Sequence, residues 1–168
     1  MEAEEVSKKW EGKVSAKVRG PRAEQVWTLL QEFFNFHNYF PSLATCHGIQ
    51  GISGELGCVR YCSGSSIRSS DGHGGSWSKE RLVAVDAKQR SFSYEILESN
   101  IGFKSYVATM KVVDIDEVEE GELNGLCVIE WSFEVEAVEG WELDDLVSMY
   151  QAGLVCMARR IEDLLGSR

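Results

Sequence analysis

The chain has 168 residues, 43% hydrophobic and 10% aromatic, with a formal net charge of −10. That length suits one well-packed domain, residues 1–168, and no apolar run approaches the ~18 residues of a membrane span. An acidic balance without a basic stripe argues against nucleic acid and against anionic membrane surfaces, since both require clustered cations.

The acidic start, Met-Glu-Ala-Glu-Glu-Val-Ser-Lys, lacks the apolar core of a signal peptide, and residues 1–8 are expected to be flexible. The five cysteines are an odd number without Cys-x-x-Cys spacing, which suits reduced thiols and a cytoplasmic location. The three histidines fall in no metal-ligand spacing, so neither a metal nor another cofactor is expected.

In chain order, residues 10–19 alternate cleanly, with Trp10, Gly12, Val14, Ala16 and Val18 on one face of a half-buried strand. Gly20-Pro21 ends it, and a helix over 23–31 follows with Val26, Trp27 and Leu30 inward. The aromatic run from Phe33 to Phe40 predicts a second short helix that stops at or before Phe40, because Pro41 disfavours helical backbone in its predecessor. Strands are expected over 45–52 and 57–62. The Ser- and Gly-rich stretch 63–76 reads either as a mobile loop over a cavity or as a solvated strand connection.

Strands over 80–86, 91–98 and 103–114 then form an antiparallel meander. The acidic run 116–122 is a loop, and 126–138 is a last strand with Cys127, Ile129, Trp131, Phe133 and Val135 inward. Residues 141–165 form a long amphipathic helix whose stripe runs through Leu146, Tyr150, Leu154, Met157, Ile161 and Leu164. Gly153 costs about 1 kcal/mol relative to Ala in a helix interior, which implies close backbone approach or room left for a ligand. The simplest assembly is α+β: a curved, seven-stranded antiparallel sheet around the C-terminal helix, with two short helices after the first strand plugging one end. A concave sheet facing one helix can enclose a pocket for a small hydrophobic or amphipathic ligand. The patterning specifies no oligomeric state.

One residue breaks this pattern. In Trp77-Ser78-Lys79-Glu80-Arg81-Leu82-Val83-Ala84, alternation sends Glu80 inward with Leu82 and Ala84. A buried carboxylate without a partner costs several kcal/mol, so the fold must supply a cation or hydrogen bonds, or leave a cavity where a ligand does so. A structural ion pair, or a register that turns Glu80 outward, is the alternative.

The order of elements, with Gly57-Cys58-Val59-Arg60-Tyr61, the Trp77–Asp86 segment, Tyr106-Val107-Ala108-Thr109-Met110 and Trp131-Ser132-Phe133, resembles the plant lachrymatory factor synthase family. That family lies within the helix-grip superfamily of birch pollen allergens, START-like domains, polyketide cyclases and abscisic acid receptors. The resemblance spans nearly the whole chain. It implies a helix-grip fold, a hydrophobic cavity, Arg60 and Glu80 as a catalytic pair, and Tyr106 as a supporting hydroxyl. It also implies a ligand-facing set of Tyr94, Met110, Trp131, Phe133, Tyr150 and Gly153, and an isomerase converting an alkenyl sulfenic acid to a thial S-oxide without a cofactor. A non-catalytic carrier of a lipophilic plant metabolite is the alternative role. Gly153 and the Ser/Gly-rich stretch depart from the onion enzyme and imply a differently shaped pocket. The abscisic acid receptors share Gly-Cys-Val-Arg and Glu-Arg-Leu. This chain, however, has Ala44 where they carry a hormone-binding lysine, and it lacks their gate and latch motifs, which disfavours hormone sensing of that type.

Overall fold

The computed structural model describes residues 8–68, 75–115 and 125–165. Its elements are β1 (Lys9–Gly20), α1 (Ala23–Leu30), a 3-10 turn (Phe33–Asn38), β2 (Leu43–Gln50), β3 (Val59–Arg68), β4 (Gly75–Asp86), β5 (Ser91–Ser99), β6 (Val107–Asp114), β7 (Gly125–Glu136) and α2 (Leu143–Leu165). The seven strands form one antiparallel sheet in the order β1-β7-β6-β5-β4-β3-β2. The expected α+β arrangement of curved sheet, two short helical elements and long C-terminal helix is the one observed. The acidic run 116–122 lies outside the described residues.

Period-2 patterning explains most of the sheet. Trp10, Val14, Ala16 and Val18 on β1 are buried, as are Cys127, Ile129, Trp131, Phe133 and Val135 on β7, and the two strands pair from Lys9↔Glu136 to Gly20↔Gly125. Helix α2 closes the concave face with Leu146, Tyr150, Leu154, Met157 and Ile161 buried, while Leu164, expected on the same stripe, is 44% exposed. The α1 helix buries Val26, Trp27 and Leu30, and the Gln25 side chain accepts the backbone N–H of Arg22 at its start (2.9 Å). That bond satisfies one of the donors a helix N-terminus leaves open.

Three local expectations change. Residues 63–68 continue β3 and residues 75–76 begin β4, so both ends of the stretch expected to be loop or connection are strand, and its middle, 69–74, lies outside the described residues. Ladder bonds use the backbone, which Ser and Gly supply as well as any residue. The expected inward phase of Glu80, Leu82 and Ala84 on β4 fails at Ala84, which is exposed, because a register shift between Leu82 and Ala84 interrupts the alternation. Such a bulge inserts an unpaired residue and flips the faces beyond it. Finally, β6 begins at Val107 rather than at 103. Ser105 adopts a left-handed backbone (φ 55°) and its hydroxyl donates to Glu136 (2.8 Å), turning the chain so that Tyr106 enters the core.

Candidate active site

Arg60 and Glu80 are directly opposed partners in the β3–β4 register. Both point to the concave side, at 3% and 8% exposure, respectively. Arg60 donates from Nε (2.9 Å) and Nη2 (2.8 Å) to Glu80 Oε1, and from Nη1 to the Phe33 carbonyl (2.9 Å). Ser78, two residues before Glu80 on the same face, donates its hydroxyl to Glu80 Oε2 (2.8 Å). The guanidinium carbon also lies 3.8 Å from the Phe33 ring centre, 4.7 Å from Phe36 and 5.2 Å from Tyr94. The aromatic run after α1 thus forms a cation–π clamp that fixes the guanidinium plane.

This arrangement resolves the cost of burying the two charges. Burial alone would depress the guanidinium, but the negative groups around it, Glu80 among them, hold it above its ordinary value, so the cation persists. Each ion in turn has hydrogen bonds beyond the pair itself, which buried pairs require.

A cavity of about 110 Å³ adjoins the pair. On the scale of one water per ~10–15 Å³, it accommodates several waters or one small organic molecule. Arg60, Ser78 and Glu80 lie on one side, and Tyr94, Tyr106, Met110, Trp131 and Tyr150 line it as well. The Tyr106 and Tyr150 hydroxyls share a hydrogen bond of 2.7 Å, and Trp131 stacks on Tyr150 with ring centres 4.1 Å apart and planes 3° from parallel. Burial pushes the phenols of Tyr94, Tyr106 and Tyr150 above their ordinary range, so they serve as neutral hydrogen-bond donors rather than as bases. The indole Nε1 of Trp131 is buried and finds no hydrogen-bond acceptor among the described residues.

The structure therefore brings together Arg60, Glu80, Tyr106, Tyr94, Met110, Trp131 and Tyr150. It does not bring Phe133 or Gly153 to the cavity wall. Phe133 lies behind it, parallel to Tyr106 (6.2 Å, 2°) and edge-on to Tyr150 (4.9 Å). Gly153 faces Phe40 and Ser42, where a Cβ would sit 3.0 Å from Phe40 Cζ and 3.2 Å from Ser42 Oγ. The close approach at Gly153 is thus to the Phe40 and Ser42 side chains that precede β2, not to the sheet. Ser78 and Phe33 were not among the expected site residues. Ser78 shares the inward phase of Glu80 and was legible from alternation, whereas the Phe33 carbonyl carries no side-chain signal. Among the described residues, no three His, Cys, Asp or Glu side chains converge to hold a metal ion, and no helix is long and apolar enough to cross a membrane.

Residues 10–164 match the polyketide cyclase / dehydrase and lipid transport family. The chain belongs to that family. Similar solved structures include a Thermobifida fusca protein (TM-score 0.69, 20% identity, covering 92% of this chain and 94% of that one). An uncharacterised Bacillus thuringiensis protein is similar too (TM-score 0.67, 20% identity, 89% and 97%), as is the major latex-like protein 151 of Panax ginseng (TM-score 0.64, 23% identity, 92% and 97%). These likenesses establish the helix-grip fold. The family assignment carries hydrophobic-ligand binding with it, in keeping with a cavity walled largely by aromatic side chains.

Proposed function

We propose that this family member is a cofactor-independent isomerase of the lachrymatory factor synthase type, moving a proton within a small, weakly acidic substrate such as an alkenyl sulfenic acid. The observation that carries the reading is the buried Arg60–Glu80 pair opening onto a small cavity. Glu80 Oε1 is occupied by Arg60, whereas Oε2 receives only the Ser78 hydroxyl and retains acceptor capacity. Oε2 takes the proton from the substrate's S–O–H group and returns it to carbon, so the carboxylate is regenerated and the substrate is isomerised without net loss of atoms. The Tyr106–Tyr150 pair contains two O–H protons and uses one internally. The other, with the unpartnered Trp131 N–H, can hold the substrate oxygen as its charge develops.

The second reading is a carrier that binds a lipophilic metabolite without chemistry. The apolar wall and the family's lipid transport members favour it, but a cavity of about 110 Å³ favours a small molecule over a long-chain lipid. The test is to generate an alkenyl sulfenic acid in the presence of the purified protein and follow thial S-oxide formation, with Arg60→Leu as control. Turnover by the wild type alone supports the isomerase. No turnover, with an unmodified hydrophobic ligand retained in native mass spectrometry, supports the carrier.

A further inference from the structure

Beside the charged pair lies a second chemically active pair that the proposed reaction does not use. Cys46 on β2 and Cys62 on β3 are directly opposed register partners. Their sulfurs are 3.5 Å apart, and both residues are buried, at 6% and 2% exposure. Cys62 also lines the cavity, and its sulfur lies 3.9 Å from Glu80 Oε1. Directly opposed residues of an antiparallel pair have Cα atoms about 4.5–5.5 Å apart, inside the ~4.4–6.8 Å window that a disulfide spans without backbone movement. We infer that Cys46 and Cys62, the latter in the cavity wall, form an oxidisable dithiol that hydrogen peroxide converts to a cross-strand disulfide next to Glu80.

The local electrostatics support a division of roles. The thiol of Cys62 donates to the sulfur of Cys46, and with the nearby Arg60 cation this outweighs burial and holds Cys46 below the ordinary thiol range. The same bond, with burial and the Glu80 charge, raises Cys62. Cys46 is therefore the thiolate nucleophile and Cys62 the resolving thiol. The thiolate attacks one peroxide oxygen and the O–O bond breaks. Cys46 becomes a sulfenic acid, and the departing hydroxide takes up a proton to form water. The Cys62 sulfur then attacks the Cys46 sulfur, the S–O bond breaks, and the hydroxyl leaves with the Cys62 proton as a second water. Two thiols are oxidised by two electrons and one peroxide is reduced to two waters. Closing the sulfurs from 3.5 Å to about 2.05 Å removes the thiol beside Glu80 and draws the Cys62 sulfur toward β2.

The other cysteines provide internal references. Cys156 is exposed, and Cys58 and Cys127 are buried with thiols raised by that burial. The experiment is a hydrogen peroxide time course on the full-length protein, with denaturing alkylation of remaining thiols and non-reducing peptide mapping. The expected result is a Cys46–Cys62 linked peptide that forms about tenfold or more faster than Cys58 and Cys127 lose their thiols, and that dithiothreitol erases. In Cys62→Ser the resolving sulfur is gone while a hydroxyl donor to Cys46 is kept, so the same treatment should leave Cys46 as a sulfenic acid that dimedone traps. The inference is overturned if Cys46 and Cys62 are still alkylated once Cys156 is fully oxidised, if either is joined to Cys156 instead, or if Cys46 in Cys62→Ser stays unoxidised. None of these readouts depends on isomerase activity.

Discussion

Strand β4 carries two arginine–carboxylate pairs at adjacent positions, one on each face. On the concave face Glu80 meets Arg60 with both side chains nearly inaccessible, whereas on the convex face Arg81 meets Glu95 with the arginine side chain 45% exposed. The partners have the same chemistry, yet their environments give them different work. Water screens the outer pair, so it contributes about 0–1 kcal/mol. The inner pair is enclosed by Phe33, Phe36 and Tyr94, and its charges are solvated by each other, the Ser78 hydroxyl, the Cys62 thiol and the Phe33 carbonyl. A fold keeps such an arrangement at a cost in intrinsic stability, which apolar residues of similar volume would avoid. That cost is the physical reason to seek chemistry at Glu80 and none at Glu95.

The comparison breaks most visibly when one inner partner is removed. Arg60→Leu leaves Glu80 buried without its cation and should destabilise the protein by about 3–5 kcal/mol, or roughly 6–20 °C in Tm, as read by thermal denaturation. Raising the pH is the next perturbation, because it ionises the tyrosines of the unfolded chain before those of the buried aromatic wall. The folded-state values of Tyr94, Tyr106 and Tyr150 lie above the ordinary 10.0, so these phenols stay protonated in the native state while the unfolded chain loses their protons. Stability is fully present below pH 10 and falls as pH rises above it. Tyrosinate absorbance from these three residues should therefore appear together with loss of the far-UV circular dichroism signal, not before it.

Ser78→Ala removes the hydrogen bond to Glu80 Oε2 and should cost about 1.5–3 kcal/mol in urea denaturation, as expected for bonds to charged groups. Arg81→Gln, on the outer face, should change stability by no more than about 1 kcal/mol in the same measurement. An outer-face loss as large as that of Arg60→Leu would contradict the contrast between the two faces.

Much of this site was legible in sequence because strand alternation has a period of two. Glu80, Tyr94 and Trp131 fall on inward phases that the neighbouring apolar residues define. Arg60 was not legible in that way, since its strand is apolar on both faces, and only the β3–β4 register places it opposite Glu80. Ala84 was misplaced because a bulge intervenes, and the Ser/Gly-rich flanks of β3 and β4 read as connection because composition says little about backbone pairing. Gly153 left two readings open in sequence, and the structure instead sets the Phe40 and Ser42 side chains against it.

The central claim is that Glu80 transfers a proton in the cavity, and the most direct measurement compares Glu80→Gln with wild type for turnover of an alkenyl sulfenic acid. Gln retains an acceptor for Arg60 but cannot take the proton. With the fold verified by circular dichroism, turnover should fall by about 100-fold or more. Undiminished turnover in the folded variant would contradict the account.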